Sequence, residues 1–169
     1  MVTALVTGGT GFLGSHIARA LVERGHRVRI LRRSTSRLDA IADLPVEHAV
    51  GDVLDPASLR AAMDGVEWVF HTAAVADYWR NDPDLIYRVN VDGTRNVLQA
   101  AEQAGVQRVI FTSSAAAIGY RADLRPMDET VRFNWDPHLT PYGHSKFLAE
   151  AEVHRAIRRG LDCVILNPA

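Results

Sequence analysis

Val6-Thr7-Gly8-Gly9-Thr10-Gly11-Phe12-Leu13-Gly14 decides the fold. The apolar run 2–6 leads straight into it, and a helical pattern, 15–24, leads out. Strand, glycine-rich turn and helix in that order make the context in which a glycine motif carries a mechanism. Gly8 can adopt backbone angles closed to other residues, so the chain can leave the strand sharply. Gly11 has no side chain to hold a pyrophosphate away from the backbone. Gly14 lets the helix lie close to the strand. The amides of Phe12, Leu13 and Gly14 in the first helical turn then face an anion at the positive end of the helix dipole.

Composition is compatible with this reading. At 169 residues and 47% hydrophobic content, the chain makes one domain with a real core, spanning 1–169. Net charge is −1, so no basic field points to nucleic acid. Cys163 is the single cysteine and sits in an apolar run, as a reduced core residue does. The seven histidines are scattered without metal-ligand spacing, so no metal is expected. Nothing resembles a signal peptide or membrane span, which makes a cytoplasmic protein with no membrane partner the expectation.

From end to end, apolar runs alternate with helical patterns. Strands are predicted at 2–6, 27–31, 46–50, 66–70, 109–112 and 163–166, and helices at 11–24, 35–42, 56–63, 83–104 and 140–159. Val109-Ile110-Phe111 and Val164-Ile165-Leu166 are apolar without interruption, as in strands buried on both faces of a parallel sheet. The fold expected is therefore α/β: a doubly wound parallel sheet, the NAD(P)-binding Rossmann arrangement. Right-handed connections put the helices at 56–63, 83–104 and 140–159 on one face, opposite the first helix. Within these 169 residues, strands four to six then have cover on one side only. Self-association, as a homo-oligomer, or a partner across that bare face is expected. One long irregular stretch, 115–139, has the length of a functional loop.

The residues after the second strand select the cofactor. A carboxylate there would hold the ribose 2′-hydroxyl of NAD. This chain has Arg32, Arg33, Ser34, Thr35, Ser36 and Arg37, and its first acid is Asp39. Guanidinium groups suit a phosphate dianion, which favours NADP over the alternative, NAD. After the third strand, Asp52 of Gly51-Asp52-Val53 is placed to accept from an adenine amino group. Asp55-Pro56 instead reads as a helix N-cap. Beyond the fourth strand, the small residues of His71-Thr72-Ala73-Ala74 let backbone approach the cofactor; His71 itself reads as structural.

Hydroxyls cluster after the fifth strand, at Thr112-Ser113-Ser114, on the sheet edge where such folds bind ligands. Further on, Tyr142 and Lys146 are four apart on a predicted helix and share a face. A nearby ammonium favours an ionised phenol, and such a phenol can act as acid or base on an alcohol or carbonyl.

Taken together, these pieces resemble the extended short-chain dehydrogenase/reductase family, its NAD-dependent epimerase/dehydratase group. The resemblance rests on residues 7–14, Gly51-Asp52, His71-Thr72-Ala73-Ala74, Val89-Asn90-Val91-Asp92-Gly93-Thr94, Thr112-Ser113-Ser114 and the Tyr142/Lys146 pair, in family order. The arginines after strand two and Phe111-Thr112-Ser113-Ser114-Ala115 are most similar to dihydroflavonol-reductase-like members, with sugar-nucleotide epimerases close. The resemblance implies an oxidoreductase or epimerase acting by hydride transfer on a small-molecule carbonyl or alcohol. It further implies that one hydroxyl, Ser114 in preference to Ser113, hydrogen-bonds the substrate oxygen, Tyr142 exchanges its proton, and Lys146 holds the nicotinamide ribose. Gly8, Gly11, Phe12, Leu13, Gly14, Arg32, Arg33, Asp52, Val53, Ala73, Ala74, Asn90 and Asn167 would complete the cofactor site.

Family members continue well past Ala169, into the part that supplies most of the substrate pocket. Two functions are therefore expected. One is an NADP-dependent enzyme in the full-length form; the other is a dinucleotide-binding module, or enzyme fragment, without turnover.

Overall fold

The computed structural model describes residues 1–76, 82–123 and 125–169. Six parallel strands are present: β1 (Thr3–Thr7), β2 (Arg27–Arg32), β3 (Glu47–Val50), β4 (Trp68–His71), β5 (Arg108–Thr112) and β6 (Cys163–Leu166). They form one sheet in the order β3-β2-β1-β4-β5-β6. The helices are α1 (Phe12–Glu23), α2 (Pro56–Ala62), α3 (Pro83–Tyr87), α4 (Gly93–Ala104) and α5 (Pro141–Arg159). Strand order reverses direction between β1 and β4. That switch point opens the crevice where doubly wound folds take their ligands.

Side chains alternate across the sheet, and each face builds its own core. On one face Leu5, Leu31, Val69, Val109 and Phe111 pack under α2, α4 and α5, meeting Leu59, Val97 and Val153. On the other, Ala4, Val6, Val28 and Ile30 pack against Ala18 and Leu21 of α1 and Ile41. α2, α4 and α5 thus share the face opposite α1, as right-handed connections require. Arg95 ties α4 to α5 by donating to Glu152 at 2.8 Å, and Arg155 reaches the same carboxylate at 2.6 Å.

Strand β1 is central and its core side chains are fully buried. Beyond β4, the face that carries α1 is left bare among the described residues. Phe70 lies opposite Ile110, Ile110 opposite Val164, and Thr112 opposite Leu166. Phe70 and Ile110 are half-buried, while Val164 is 38% and Leu166 49% exposed. Their neighbours Val109 and Phe111 point the other way and are sealed. These are the bare-faced strands that the topology implies.

Two predicted helices differ from the structure. The segment 35–42 is not an α-helix: it holds only a 3-10 turn, Asp39–Ile41. Its hydroxyl-rich start satisfies the backbone locally, with the Ser36 hydroxyl accepting from the Arg33 amide at 3.1 Å. The predicted helix 83–104 is broken by a π-helical turn, Arg88–Asp92, between α3 and α4. Such turns often mark functional sites, and this one carries Asn90. At the start of α2, Asp55 accepts from the Ala57 amide and Pro56 takes the first helical position, as the sequence indicates.

Candidate functional site

Backbone chemistry at the end of β1 shapes the site. Gly8 has φ +68°, and a Cβ there would sit 2.7 Å from the Ala73 amide nitrogen. At Gly14 a Cβ would collide with the Gly8 carbonyl oxygen. Only glycines let α1, the turn and the segment after β4 converge this closely. Gly11 is the N-cap of α1 and brings no side-chain hydrogen bond to the first turn. The turn's amides, those of Phe12, Leu13 and Gly14, therefore keep the orphan donors of a helix start. Phe12 is exposed, so nothing bulky covers them.

A cleft of about 350 Å³ runs along the C-terminal ends of β1, β2, β3 and β4. Gly8 and Gly11 form its middle, Arg32, Arg33, Asp52 and Val53 one end, and Ala73 and Ala74 the other wall. An uncapped helix start beside glycines that admit close backbone approach fits a pyrophosphate. The guanidinium end carries a further sign of an anionic group: Arg32 Nε is buried with no hydrogen-bond partner among the described residues. Ser36 lines the same end, a residue whose hydroxyl in the turn was the only sequence signal. Asp52 uses Oδ1 to accept from the Leu54 amide at 2.9 Å. The donor set and the glycine cradle fit a dinucleotide.

Behind the cleft, one buried histidine joins three elements. His71 Nδ1 lies 2.7 Å from Thr7 Oγ1, and Nε2 lies 3.0 Å from Thr94 Oγ1. Thr94 donates its proton to the Asn90 carbonyl at 2.6 Å, so it accepts from His71. Thr7 Oγ1 also accepts from the Ala73 amide at 3.3 Å. The Thr94 contact puts a proton on Nε2, and in the neutral ring Nδ1 then accepts from Thr7. Burial, aided by the Lys146 charge, pushes the His71 imidazole down to about 3. Asn90 extends the chain: it accepts from the Val75 amide at 2.8 Å and donates to the Val75 carbonyl and to Ser145 Oγ. The cleft wall is thereby tied to α5.

At the far end of the sheet, α5 brings Tyr142 and Lys146 one turn apart. Lys146 is 2% exposed; its ammonium donates to the Thr112 carbonyl at 2.6 Å and lies 4.3 Å above the Phe111 ring. Burial pushes that ammonium down to about 8, against the opposing charge of Glu150. Ser114, two residues past β5, accepts from the Ala116 amide at 3.1 Å and caps a 3-10 turn, Ala115–Ala117. Ser113 donates to Glu150 instead. The two adjacent hydroxyls thus have different partners. Asn167 does not line the dinucleotide cleft; it donates to the Ser114 carbonyl at 3.1 Å and faces a second cleft of about 190 Å³ beside α5. Two contributors escaped sequence reading. Thr94 lay inside a quoted motif, and Glu150 repeats the four-residue helical spacing that singled out Lys146.

Residues 4–169 match the family model described as the NAD dependent epimerase/dehydratase family. A Synechocystis sp. protein provisionally named dihydroflavonol 4-reductase is 43% identical over 97% of this chain and 48% of its own length. Among solved structures, gox2253 superposes with a TM-score of 0.92 at 47% identity, over 99% of this chain and 51% of that one. The UDP-glucose 4-epimerase of Brucella ovis, solved in complex with NAD, gives 0.86 at 35% identity over 99% and 51%. The chain spans about half the length of these relatives.

The His71 arrangement has a pH signature. Its folded pKa lies below the unfolded value, so the neutral ring stabilises the fold fully above about pH 6.5 and ever less as pH falls towards 3. Urea unfolding between pH 7 and pH 4 should show stability falling by up to about 1.4 kcal/mol per pH unit from this group. His71→Gln should remove that part of the slope, and equal slopes in both proteins would contradict the assignment.

Proposed function

The chain belongs to the NAD dependent epimerase/dehydratase family, and from that premise we propose an NADP-dependent oxidoreductase or epimerase that acts on a small carbonyl or alcohol by hydride transfer. One observation carries the reading: α5 sets Tyr142 and Lys146 on one face, with the Lys146 ammonium anchored at the end of β5, two residues before Ser114. A bound nicotinamide supplies or accepts the hydride. Ser114 holds the substrate oxygen by a hydrogen bond. Tyr142 gives its phenolic proton to a carbonyl oxygen as hydride arrives, or removes the proton of an alcohol as hydride leaves. Lys146 binds the nicotinamide ribose and keeps a positive charge one turn from Tyr142. Asn90 holds the neighbouring cleft wall at Val75. In this reading residues 1–169 make up the NAD(P)-binding domain.

Preference for NADP is supported by Arg32, Arg33 and Ser36 at one end of the cleft. The buried, unpartnered Arg32 Nε is a donor that a 2′-phosphate would satisfy. No carboxylate stands at the end of β2 to compete. The glycine cradle and the donors of the cleft would equally serve a second reading, a dinucleotide-binding module without turnover.

We also infer that the 169-residue chain pairs with a second copy through its bare sheet face. Phe70, Ile110, Val164 and Leu166 form an apolar surface continuous with β6, an edge strand.

Three measurements check these readings. Calorimetric titration should show tighter binding of NADP(H) than NAD(H), and Arg32→Ala with Arg33→Ala should lower that ratio by roughly 10- to 100-fold, the worth of a charge-assisted contact; an unchanged ratio removes the NADP assignment. Tyr142→Phe should cut turnover by at least about 100-fold while sparing cofactor affinity. Full activity in that variant would sink the mechanism, whereas a wild-type chain that binds cofactor yet turns nothing over favours the module. Light scattering should find the wild-type chain associated and Ile110→Glu monomeric with little change in Tm. Val109→Glu, one residue away but on the sealed face, should unfold the chain, and a compact wild-type monomer at high concentration refutes the pairing.

A further inference from the structure

Glu150 plays no part in the proposed hydride transfer, yet it sits at a junction. One of its carboxylate oxygens, Oε1, accepts from Ser113 Oγ at 2.5 Å and from Asn167 Nδ2 at 2.7 Å. Ser113 follows β5 and Asn167 follows β6, so a single oxygen on α5 fastens both strand ends. The same asparagine donates to the Ser114 carbonyl. Backbone pairing continues the grip, with the Ser113 amide on the Leu166 carbonyl and the Ala115 amide on the Pro168 carbonyl. Glu150 also stands four residues after Lys146, on the same helical face.

Among the described residues, Glu150 is the charge that acts on Lys146. Tyr142 precedes it by one turn on α5, and Glu150 comes one turn after it. From β4 comes His71, which burial keeps neutral. Strand β5 offers the Thr112 carbonyl and the Phe111 ring, neither of which titrates. An ammonium this deeply buried loses much of its hydration, and a fixed anion nearby is the usual remedy.

We propose that Glu150 is a positioning residue for the active site: held in place by Ser113 and Asn167, its carboxylate keeps the Lys146 ammonium charged while α5 clamps the ends of β5 and β6. The proposal deepens the catalytic reading, since it gives Lys146 the charge that reading requires. Charge and clamp are separable properties. A glutamine at position 150 keeps an oxygen that accepts from Ser113 and Asn167 but carries no charge. An aspartate keeps the charge on an arm too short to hold both partners.

The composition supplies an unusually direct readout. Lys146 is the only lysine in the chain, so protein grown with 13C-labelled lysine shows one Cε resonance, whose pH titration needs no assignment. The measurement needs neither cofactor nor turnover. If the catalytic reading fails, cofactor titration fails and this titration stands. Glu150→Gln and Glu150→Ala should each make Lys146 about tenfold more acidic, as expected for losing one nearby anion, while Glu150→Asp should titrate close to wild type. A purely structural clamp predicts the opposite grouping, with glutamine like wild type and aspartate like alanine, and that result overturns the proposal. Should the glutamine variant fail to fold, the aspartate and alanine titrations still decide: a shared midpoint refutes the role of charge.

Discussion

Everything in this chain hangs on the contact between Gly14 and the Gly8 carbonyl. No side chain fits between α1 and the turn that leaves β1. Because backbone meets backbone there, the helix start is brought over the end of the strand with its first amides open. The same closeness lets Gly8 abut the Ala73 amide, so β1, α1 and the segment after β4 share one vertex. A methyl group at either glycine would push these elements apart, and with them the cleft.

Beside this vertex lie polar side chains that are buried and bonded to one another. Thr7, His71, Thr94 and Asn90 form a single line of donors and acceptors from the glycine turn to the π-helical turn before α4. Buried polar groups are costly unless satisfied, and satisfied ones fix one arrangement over others. The line fixes the histidine tautomer and, through Asn90, the position of the cleft wall relative to α5. Lys146 meets the harder problem of holding a charge in a buried site, with half-buried Glu150 one turn further along α5.

The sheet itself is unevenly dressed. Face by face, Val109 and Phe111 are sealed under α4 and α5, while Ile110 between them and Val164 beside it on β6 look out from the side that α1 covers only near β1 and β2. Strand sequence alone cannot express this, because an unbroken apolar run reads the same whether or not both faces are covered. Relatives twice as long share this half of their fold at TM-scores of 0.86 and above. The apolar character of β5 and β6 therefore belongs to a sheet suited to cover on both sides.

The sequence by itself determined the alternation of strands and helices, the glycine turn, the Asp55-Pro56 helix start and the shared face of Tyr142 and Lys146, because each depends on local geometry or on a periodicity of two or 3.6 residues. It could not determine that the segment at 35–42 would stay unwound, since Ser36 bonds the backbone more cheaply than a helix would. Nor could it foresee the π-helical turn that aims Asn90 at Val75. Which of Ser113 and Ser114 binds Glu150, why Asn167 turns towards a second cleft, and why His71 is neutral were decided by tertiary structure alone. Those outcomes depend on which atoms meet across elements 17 to 65 residues apart, and on how much water is left between them. No local pattern encodes either quantity.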